Sequence, residues 1–140
     1  MNYELPDGQT VMVNGPRFMG PEALFFPDQI QQGSEVLGLH KMTYETITTC
    51  DVDIRKDLYS NVILSGGTTL YNGLPERLEK ELDAMCPTAN LVKVIAPQDR
   101  YYSVWSGGST LCSLATFEAQ WITKDEYEET GVEIVHSKCV

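Results

Sequence analysis

Residues 62–73, with the sequence VILSGGTTLYNG, place the strongest constraint on the fold. The short run Val62–Leu64 is β-branched and apolar, which is typical of a buried strand. Gly66 and Gly67 follow this run after one serine. Two adjacent glycines allow backbone angles that other residues avoid, so the segment predicts a tight turn directly after a buried strand.

The segments that follow this turn predict an α/β fold. A helix is expected over Leu74–Leu82, with two charge pairs at helical spacing on its outer face, Glu76 with Lys80 and Arg77 with Glu81. The apolar run Leu91–Ile95, ended by Pro97, predicts a second strand. Strand, helix and strand in this order form a βαβ unit, so we expect two parallel strands in an α/β sheet.

Turn and helix signals predict the remaining elements. A hairpin is expected around Pro6-Asp7-Gly8, with the alternating run Gln9–Asn14 as a strand. Pro21 is expected to start a helix, and Asp51 or Asp53 is expected to cap another. Further helices are predicted over residues 37–49, 116–121 and 124–129, and a polar loop over residues 27–34.

The glycine turn has two interpretations. Ligands of open α/β sheets bind outside the carboxyl ends of the strands, and the free N–H groups of a following helix attract anions. Gly66 and Gly67 therefore suit a nucleotide. The segment matches neither G-x-x-x-x-G-K-[ST] nor G-x-G-x-x-G, however. On the pattern alone both a structural turn and a ligand site stay open, and the structural turn is favoured.

Composition and charge exclude several classes of function. The 140 residues carry a formal charge of −10, which disfavours binding to nucleic acids and to anionic membranes. No apolar run approaches ~20 residues, so no transmembrane helix is expected. The opening Met1–Glu4 shows no sign of a secretory leader, and the four dispersed cysteines are expected to be reduced thiols.

Residue types that serve catalysis or metal binding do not form a recognisable group. Ser65 has no obvious histidine partner, and His136 with Cys139 lacks a second pair of ligands. Asp51 and Asp53 do not fit a calcium loop, because basic residues follow where an oxygen ligand and a glycine are required. No catalytic residue and no metal-binding residue is therefore predicted.

Several motifs resemble the carboxyl-terminal part of actin. They occur in the family's order from Tyr3 to Cys139: YELPDGQ, PEALF, CDVDIRKDLY, LSGGTT, VIAP, YSVWSGGS and EIVHSKC. The resemblance implies a partial actin-like ATPase fold, which is ribonuclease H-like. Residues 1–34 would end the outer subdomain of the large domain, residues 35–102 would form its inner subdomain, and residues 103–140 would be the carboxyl-terminal part of the small domain.

The resemblance also implies that the glycine turn faces the adenosine of ATP or ADP, which actins bind with Mg²⁺. The implied nucleotide-binding residues are Gly66, Gly67, Thr68, Tyr71 and Tyr101. Tyr101 stands where the family pattern has a lysine beside the adenine. The phosphate-binding hairpins and the catalytic half of an actin would precede this segment, so enzyme activity is left open. We expect the chain alone to bind ATP weakly or not at all.

Two surfaces are implied to meet partners. Other actin subunits would contact the loop after Pro27, which reads DQIQQGSEV and is longer and more polar than the family's apolar plug. The segment Ser106–Gln120 resembles the cleft in which actin-binding proteins dock. Leu111 and Leu114 keep this cleft apolar, although several of its other positions are more polar than in the family pattern.

Three functional hypotheses follow from the resemblance. The first is a filament subunit of the cytoplasm and cytoskeleton, or a fragment of one, that carries the adenosine-facing part of an ATP site. The second is a truncated interaction module that binds or caps actin without binding ATP itself. The third is a free-standing ATPase, which ranks last because the catalytic half would be missing.

Overall fold

The computed structural model describes residues 2–30, 33, 35–87 and 91–139. The strands are β1 (Asn2–Glu4), β2 (Thr10–Met12), β3 (Val62–Ile63) and β4 (Val94–Ile95). The α-helices are α1 (Pro16–Glu22), α2 (Leu39–Thr49), α3 (Val52–Tyr59), α4 (Leu74–Met85), α5 (Ser103–Cys112), α6 (Lys124–Thr130) and α7 (Val135–Lys138). Short 3₁₀ helices cover Pro27–Gln29, Gly67–Leu70, Ala115–Gln120 and Gly131–Ile134. No helix in these described ranges is long and apolar enough to cross a membrane.

Two small sheets agree with the predicted α/β class. β1 and β2 form the expected antiparallel hairpin. β3 and β4 are parallel, in the register Val62 with Val94 and Ile63 with Ile95. α4 connects the two parallel strands, so the predicted βαβ unit is confirmed, and the glycine turn leads from β3 into the crossover.

The core lies between α2, α3, α4 and the parallel strands. Leu74, Leu78 and Leu82 are four residues apart along α4, so they lie on one face of the helix, and all three are buried. Burial of each leucine side chain contributes about 1.5–3 kcal/mol. The leucines pack in one cluster with Phe25, Ile47, Tyr59, Leu64 and Val92. Burial raises the pKa of Tyr59 to about 12.

The side chain of Arg77, on α4, binds to Glu22 at the end of α1. Its guanidinium donates to both carboxylate oxygens of Glu22, at 2.7 and 3.0 Å, and to Glu81 at 2.8 Å. The same guanidinium carbon lies 4.9 Å from the centroid of the buried Phe25 ring. The hydrogen bond from Arg77 is the main reason that the pKa of Glu22 is lowered. These contacts of Arg77 hold Phe25 against the core. The predicted ion pair between Arg77 and Glu81 is confirmed.

His40 is buried between two phenylalanine rings. Its ring stacks on Phe25 with 5.8 Å between centroids and tilts against Phe26 with 5.5 Å between centroids. Only 3% of the residue is exposed, and its Nδ1 atom has no hydrogen-bond partner in the described part of the chain. Removal from water disfavours the charged imidazolium, so burial lowers the pKa of His40.

Several local predictions need correction or refinement. Helix α1 begins at Pro16 and not at Pro21, which lies inside it, because Pro16 also suits a helix start. Helix α2 matches its predicted range to within two residues. Asp51 occupies the N-cap position of α3 as expected, but its side chain makes no capping hydrogen bond. Gln31, Gln32 and Ser34 of the predicted polar loop lie outside the described residues.

The parallel strands are shorter and less buried than predicted. Ile63 is 66% exposed, whereas the next residue, Leu64, is 7% exposed and belongs to the core. Successive strand residues point to opposite faces, and only one face of this two-stranded sheet is covered. The predicted ion pair between Glu76 and Lys80 is also absent from the ion pairs of the described residues.

The carboxyl-terminal segment, residues 103–139, is helical and begins with α5. The predicted short helices appear as the 3₁₀ helix Ala115–Gln120 and as α6. A capping box starts α6, in which Thr123 and Glu126 each accept the other's backbone N–H. Lys138 pairs with Glu126 and donates to the Trp121 carbonyl at 2.8 Å, which folds α7 back onto the start of α6. The Lys138 ammonium, together with Thr123, lowers the pKa of Glu126 to about 2.

Candidate functional site

The glycine turn begins where β3 ends. Gly66 has a φ of +89°, which residues with a side chain rarely adopt, and it donates its N–H to the Arg100 carbonyl at 2.8 Å. The chain then makes a 3₁₀ turn over Gly67–Leu70. Thr69 stabilises that turn, since its hydroxyl donates to the Gly66 carbonyl at 2.7 Å. The tight turn predicted after the strand is confirmed.

A cavity of about 650 Å³ lies beside this turn, at the carboxyl end of β3. Its volume is within the range of sites that hold small molecules. The described residues that line it are Gly67, Thr68, Leu70, Tyr71, Asn72 and Tyr101. The structure thus brings together four of the five predicted binding residues. Gly66 does not line the cavity and instead shapes the turn behind it.

Leu70 and Asn72 are lining residues that the sequence motifs do not single out. The only signal for them is their position on either side of Tyr71. The sequence does not indicate which side chains of a short turn point toward a ligand, because the 3₁₀ turn over Gly67–Leu70 and the residues after it lack the two-residue period of a strand. Their contribution to the cavity therefore follows from the turn's conformation.

Tyr101 packs directly over Gly67. A Cβ atom built at position 67 would lie 2.9 Å from Tyr101 Cε2 and 3.3 Å from Cδ2, so the ring occupies space that any other residue would require. The Tyr101 ring also meets Tyr102 edge to face, with 4.4 Å between centroids and an interplanar angle of 68°. Tyr101 and Tyr71 are each about half exposed, so both rings are accessible from the cavity.

Arg100 connects the turn to the segment that carries Tyr101. Its Nε donates to the Thr69 carbonyl and to the Thr69 hydroxyl, both at 3.2 Å, and its Nη2 donates to the Thr69 carbonyl at 3.1 Å. The Nη1 atom donates to the Pro97 carbonyl at 2.9 Å. No sequence motif singles out Arg100, because its partner in the turn, Thr69, lies 31 residues earlier in the chain and becomes a neighbour only through the fold.

The charge distribution restricts what the cavity can hold. None of the described lining residues is a lysine, arginine, aspartate or glutamate. The described residues also contain no group of three or more His, Cys, Asp or Glu side chains arranged to hold a metal ion. Two half-exposed aromatic rings, a threonine and an asparagine suit a flat, uncharged ring system with hydrogen-bonding groups. These lining residues offer no counter-charge for a phosphate.

The predicted docking cleft lies in the carboxyl-terminal segment. Leu111 is 51% exposed and Leu114 is 48% exposed, and the Leu114 N–H donates to the Leu111 carbonyl where α5 ends. Phe117 packs edge to face on Trp121 at 6.4 Å between centroids. An apolar cavity of about 350 Å³ lies on α5 itself and is lined by Val104, Trp105, Gly108, Ser109 and Cys112. Both apolar surfaces of this segment are accessible to solvent in the described structure.

The family model described as actin matches residues 1–140, which is the whole chain.

Proposed function

The chain belongs to the actin family, and from that membership we propose that it is an actin-like filament subunit, or a part of one. We further propose that the cavity beside the glycine turn receives the adenosine of ATP or ADP. The observation that supports the proposal most is the meeting of Gly67, Thr68, Tyr71 and Tyr101 at one cavity. The resemblance to actin implies these residues as nucleotide-binding, and they surround a space of suitable size.

The lining residues fit a nucleoside. A purine is flat and uncharged, and stacking of a base on an aromatic ring contributes about 1–3 kcal/mol. Tyr71 and Tyr101 present half-exposed rings for such stacking. Gly67 has no side chain, so the backbone approaches the cavity closely, and Thr68 and Asn72 supply hydrogen-bonding groups for a ribose or a base edge.

The same lining residues do not fit the phosphates or Mg²⁺. Arg, Lys or a bound cation usually neutralises a triphosphate, and the described lining contains none of these side chains. When bound, Mg-ATP would supply the terminal phosphoanhydride bond that an ATPase hydrolyses. This cavity would hold only its nucleoside end, and we propose no catalytic residue among the described residues.

We propose that the architecture is a partial actin-like fold of the ribonuclease H-like class. Residues 1–34 would belong to the outer subdomain of the large domain, residues 35–102 to its inner subdomain, and residues 103–140 to the small domain. The packing supports the boundary after residue 102, because no residue of α5, α6 or α7 belongs to the core cluster, whereas Phe25 packs in that cluster together with residues of 35–102. The segment that carries Arg100 then connects the two proposed domains.

We propose two kinds of partner for this chain. Other actin subunits would contact it within a cytoskeletal filament, and helices of actin-binding proteins would dock at the cleft over Ser106–Gln120. The half-exposed side chains of Leu111 and Leu114 support the second proposal, since partner helices bury apolar anchors of this kind.

Nuclear magnetic resonance with adenosine tests the proposed site. Titration of the ¹⁵N-labelled chain should shift the amide signals of Gly67, Thr68 and Tyr71 in a saturable way. Tyr101→Ala should weaken the binding about fivefold to a hundredfold, which corresponds to the loss of one stacked ring. Tyr127→Ala is a matched control, because Tyr127 is also about half exposed but lies on α6. The absence of any shift at the turn would contradict the proposed site.

A further inference from the structure

We infer that Arg100 is a positioning residue that sets the shape of the nucleoside cavity from outside it. Its side chain holds one end of the glycine turn and its carbonyl holds the other end. Arg100 does not line the cavity. The identity of the ligand rests on the proposed function above, whereas the positioning role rests on the contacts of Arg100 itself.

The guanidinium of Arg100 fixes the far end of the turn. Nε and Nη2 both donate to the Thr69 carbonyl, at 3.2 and 3.1 Å, and Nη1 reaches the Pro97 carbonyl at 2.9 Å. Three nitrogen atoms of one planar guanidinium group thus donate hydrogen bonds to two backbone carbonyls. Lysine carries the same charge at one point and lacks this planar fork, so it is unable to hold both carbonyls in the same arrangement.

The carbonyl of Arg100 fixes the near end of the turn. It accepts the N–H of Gly66 at 2.8 Å and the hydroxyl of Ser103 at 3.2 Å. The hydroxyls of Ser103 and Ser65 lie 2.7 Å apart, so a short hydrogen bond joins the two segments at the same place. Gly66 and Thr69 are therefore both tied to one residue, and the 3₁₀ turn is held between them.

This arrangement fixes the two walls of the cavity relative to each other. Gly67 and Thr68 lie between the two tied positions of the turn, and Tyr101 is the next residue after Arg100. A shift of Arg100 would move Tyr101 away from Gly67 and would release the turn at the same time. None of these contacts involves the core cluster, so we expect their loss to alter the cavity and not the core.

Amide hydrogen exchange on the full 140-residue chain tests the positioning role. In Arg100→Ala, exchange at Gly66 and Thr69 should accelerate about tenfold, because hydrogen bonds from a charged donor hold the turn. The amides of Leu78 and Leu82 in α4 should keep their wild-type rates to within about twofold. Arg100→Lys should behave like Arg100→Ala, since charge alone does not replace the fork.

Arg55→Ala is the matched control. Arg55 also donates from Nε to a backbone carbonyl, that of Cys50 at 2.9 Å, but this carbonyl lies outside the glycine turn and Arg55 does not line the cavity. This variant should leave exchange at Gly66 and Thr69 unchanged. Unchanged exchange in Arg100→Ala would overturn the inference, as would full rescue by Arg100→Lys or an equal acceleration at Leu82.

A second arm measures adenosine binding by the same variants. We expect about a tenfold loss of affinity in Arg100→Ala and no loss in Arg55→Ala. If the wild-type chain shows no adenosine binding, the proposed function fails, but the exchange data still decide whether Arg100 positions the turn. If adenosine binds equally well to the wild type and to Arg100→Ala, the proposed function stands and the positioning role is refuted.

Discussion

The aromatic ring of Tyr101 occupies the space that a side chain at position 67 would need, since a Cβ atom built on Gly67 would lie 2.9 Å from Tyr101 Cε2. The two residues are more than 30 positions apart in the chain and meet because Arg100 holds their segments together. Gly66 differs from Gly67, because a Cβ there would have free space but the backbone has a φ of +89°. The two neighbouring glycines are therefore required for different physical reasons.

Alanine substitution should separate these two reasons. Gly66→Ala should lower the free energy of unfolding by about 1–3 kcal/mol, since the residue would be held in a strained conformation. Gly67→Ala should cost less than about 1 kcal/mol, because the half-exposed Tyr101 ring is able to rotate away. Gly67→Ala should nevertheless weaken adenosine binding. Chemical denaturation and adenosine titration of both variants measure the two effects.

The Gly67 prediction has a direct control in the Tyr101→Ala background. There the added methyl group meets no ring, so Gly67→Ala should have little further effect on stability. Equal costs for Gly67→Ala with and without the Tyr101 ring would show that the contact between the two residues has no energetic consequence.

Tyr101 is expected to replace the lysine of the family pattern without loss of purine binding. A tyrosine ring stacks on a base for about 1–3 kcal/mol, whereas loss of one partly exposed charge typically costs about 0–1 kcal/mol. The segment can be grafted into a complete actin-like host and compared with its Tyr101→Lys and Tyr101→Ala variants. Tyr101 should bind ATP more tightly than Ala and with less salt dependence than Lys. ATP affinity that is equal for Tyr and Ala would rule out stacking.

The sequence predicts the local elements well and the long-range contacts poorly. The βαβ unit follows from the apolar run at Val62, the helical spacing of the charge pairs on α4 and the second apolar run, all of which are local patterns. The glycine turn is predicted for the same reason. The role of Arg100 is not predicted, because an arginine in a polar loop has the same local pattern whether it is solvated or bonded to a distant carbonyl.

The sequence also does not predict which side chains of a strand or a helix are buried. Ile63 has the composition of a buried strand residue but is mostly exposed, since only the opposite face of the sheet packs on the core. His40 shows the reverse case, because a polar residue at the start of α2 is buried by two phenylalanines from the preceding segment. In both cases the neighbouring elements decide whether the side chain is buried, and the local sequence pattern carries no information about those neighbours.

Stability should fall as the pH falls below about 6.5, the usual pKa of histidine. Burial lowers the pKa of His40 in the folded chain, and nearby Lys41 and Arg77 act in the same direction while Glu81 opposes them. Between the folded and the unfolded pKa the unfolded chain binds a proton that the folded chain excludes, so acid favours unfolding. The stability that depends on a neutral His40 is fully present above about pH 6.5. It is lost as the pH falls toward the lower pKa that His40 has in the folded chain.

Urea denaturation from about pH 7.5 to about pH 5 measures this effect. His40→Leu removes the titrating group and fills a similar apolar space, so its free energy of unfolding should vary less over that range than that of the wild type. His136 is exposed on α7, and His136→Leu should retain the wild-type pH dependence. If the free energy of unfolding changes with pH equally in the wild type and in His40→Leu, His40 is not the cause of the pH dependence.

Calorimetric titration of the full chain with Mg-ATP tests the central claim most directly, namely that the described cavity holds the nucleoside and not the phosphates. The lining residues carry no positive side chain, so stacking and a few hydrogen bonds supply the affinity, which corresponds to a Kd of about 1 mM or weaker. Mg-ATP and adenosine should therefore bind the chain with similar, weak affinity. Saturable binding of Mg-ATP in the micromolar range, with adenosine much weaker, would contradict the account.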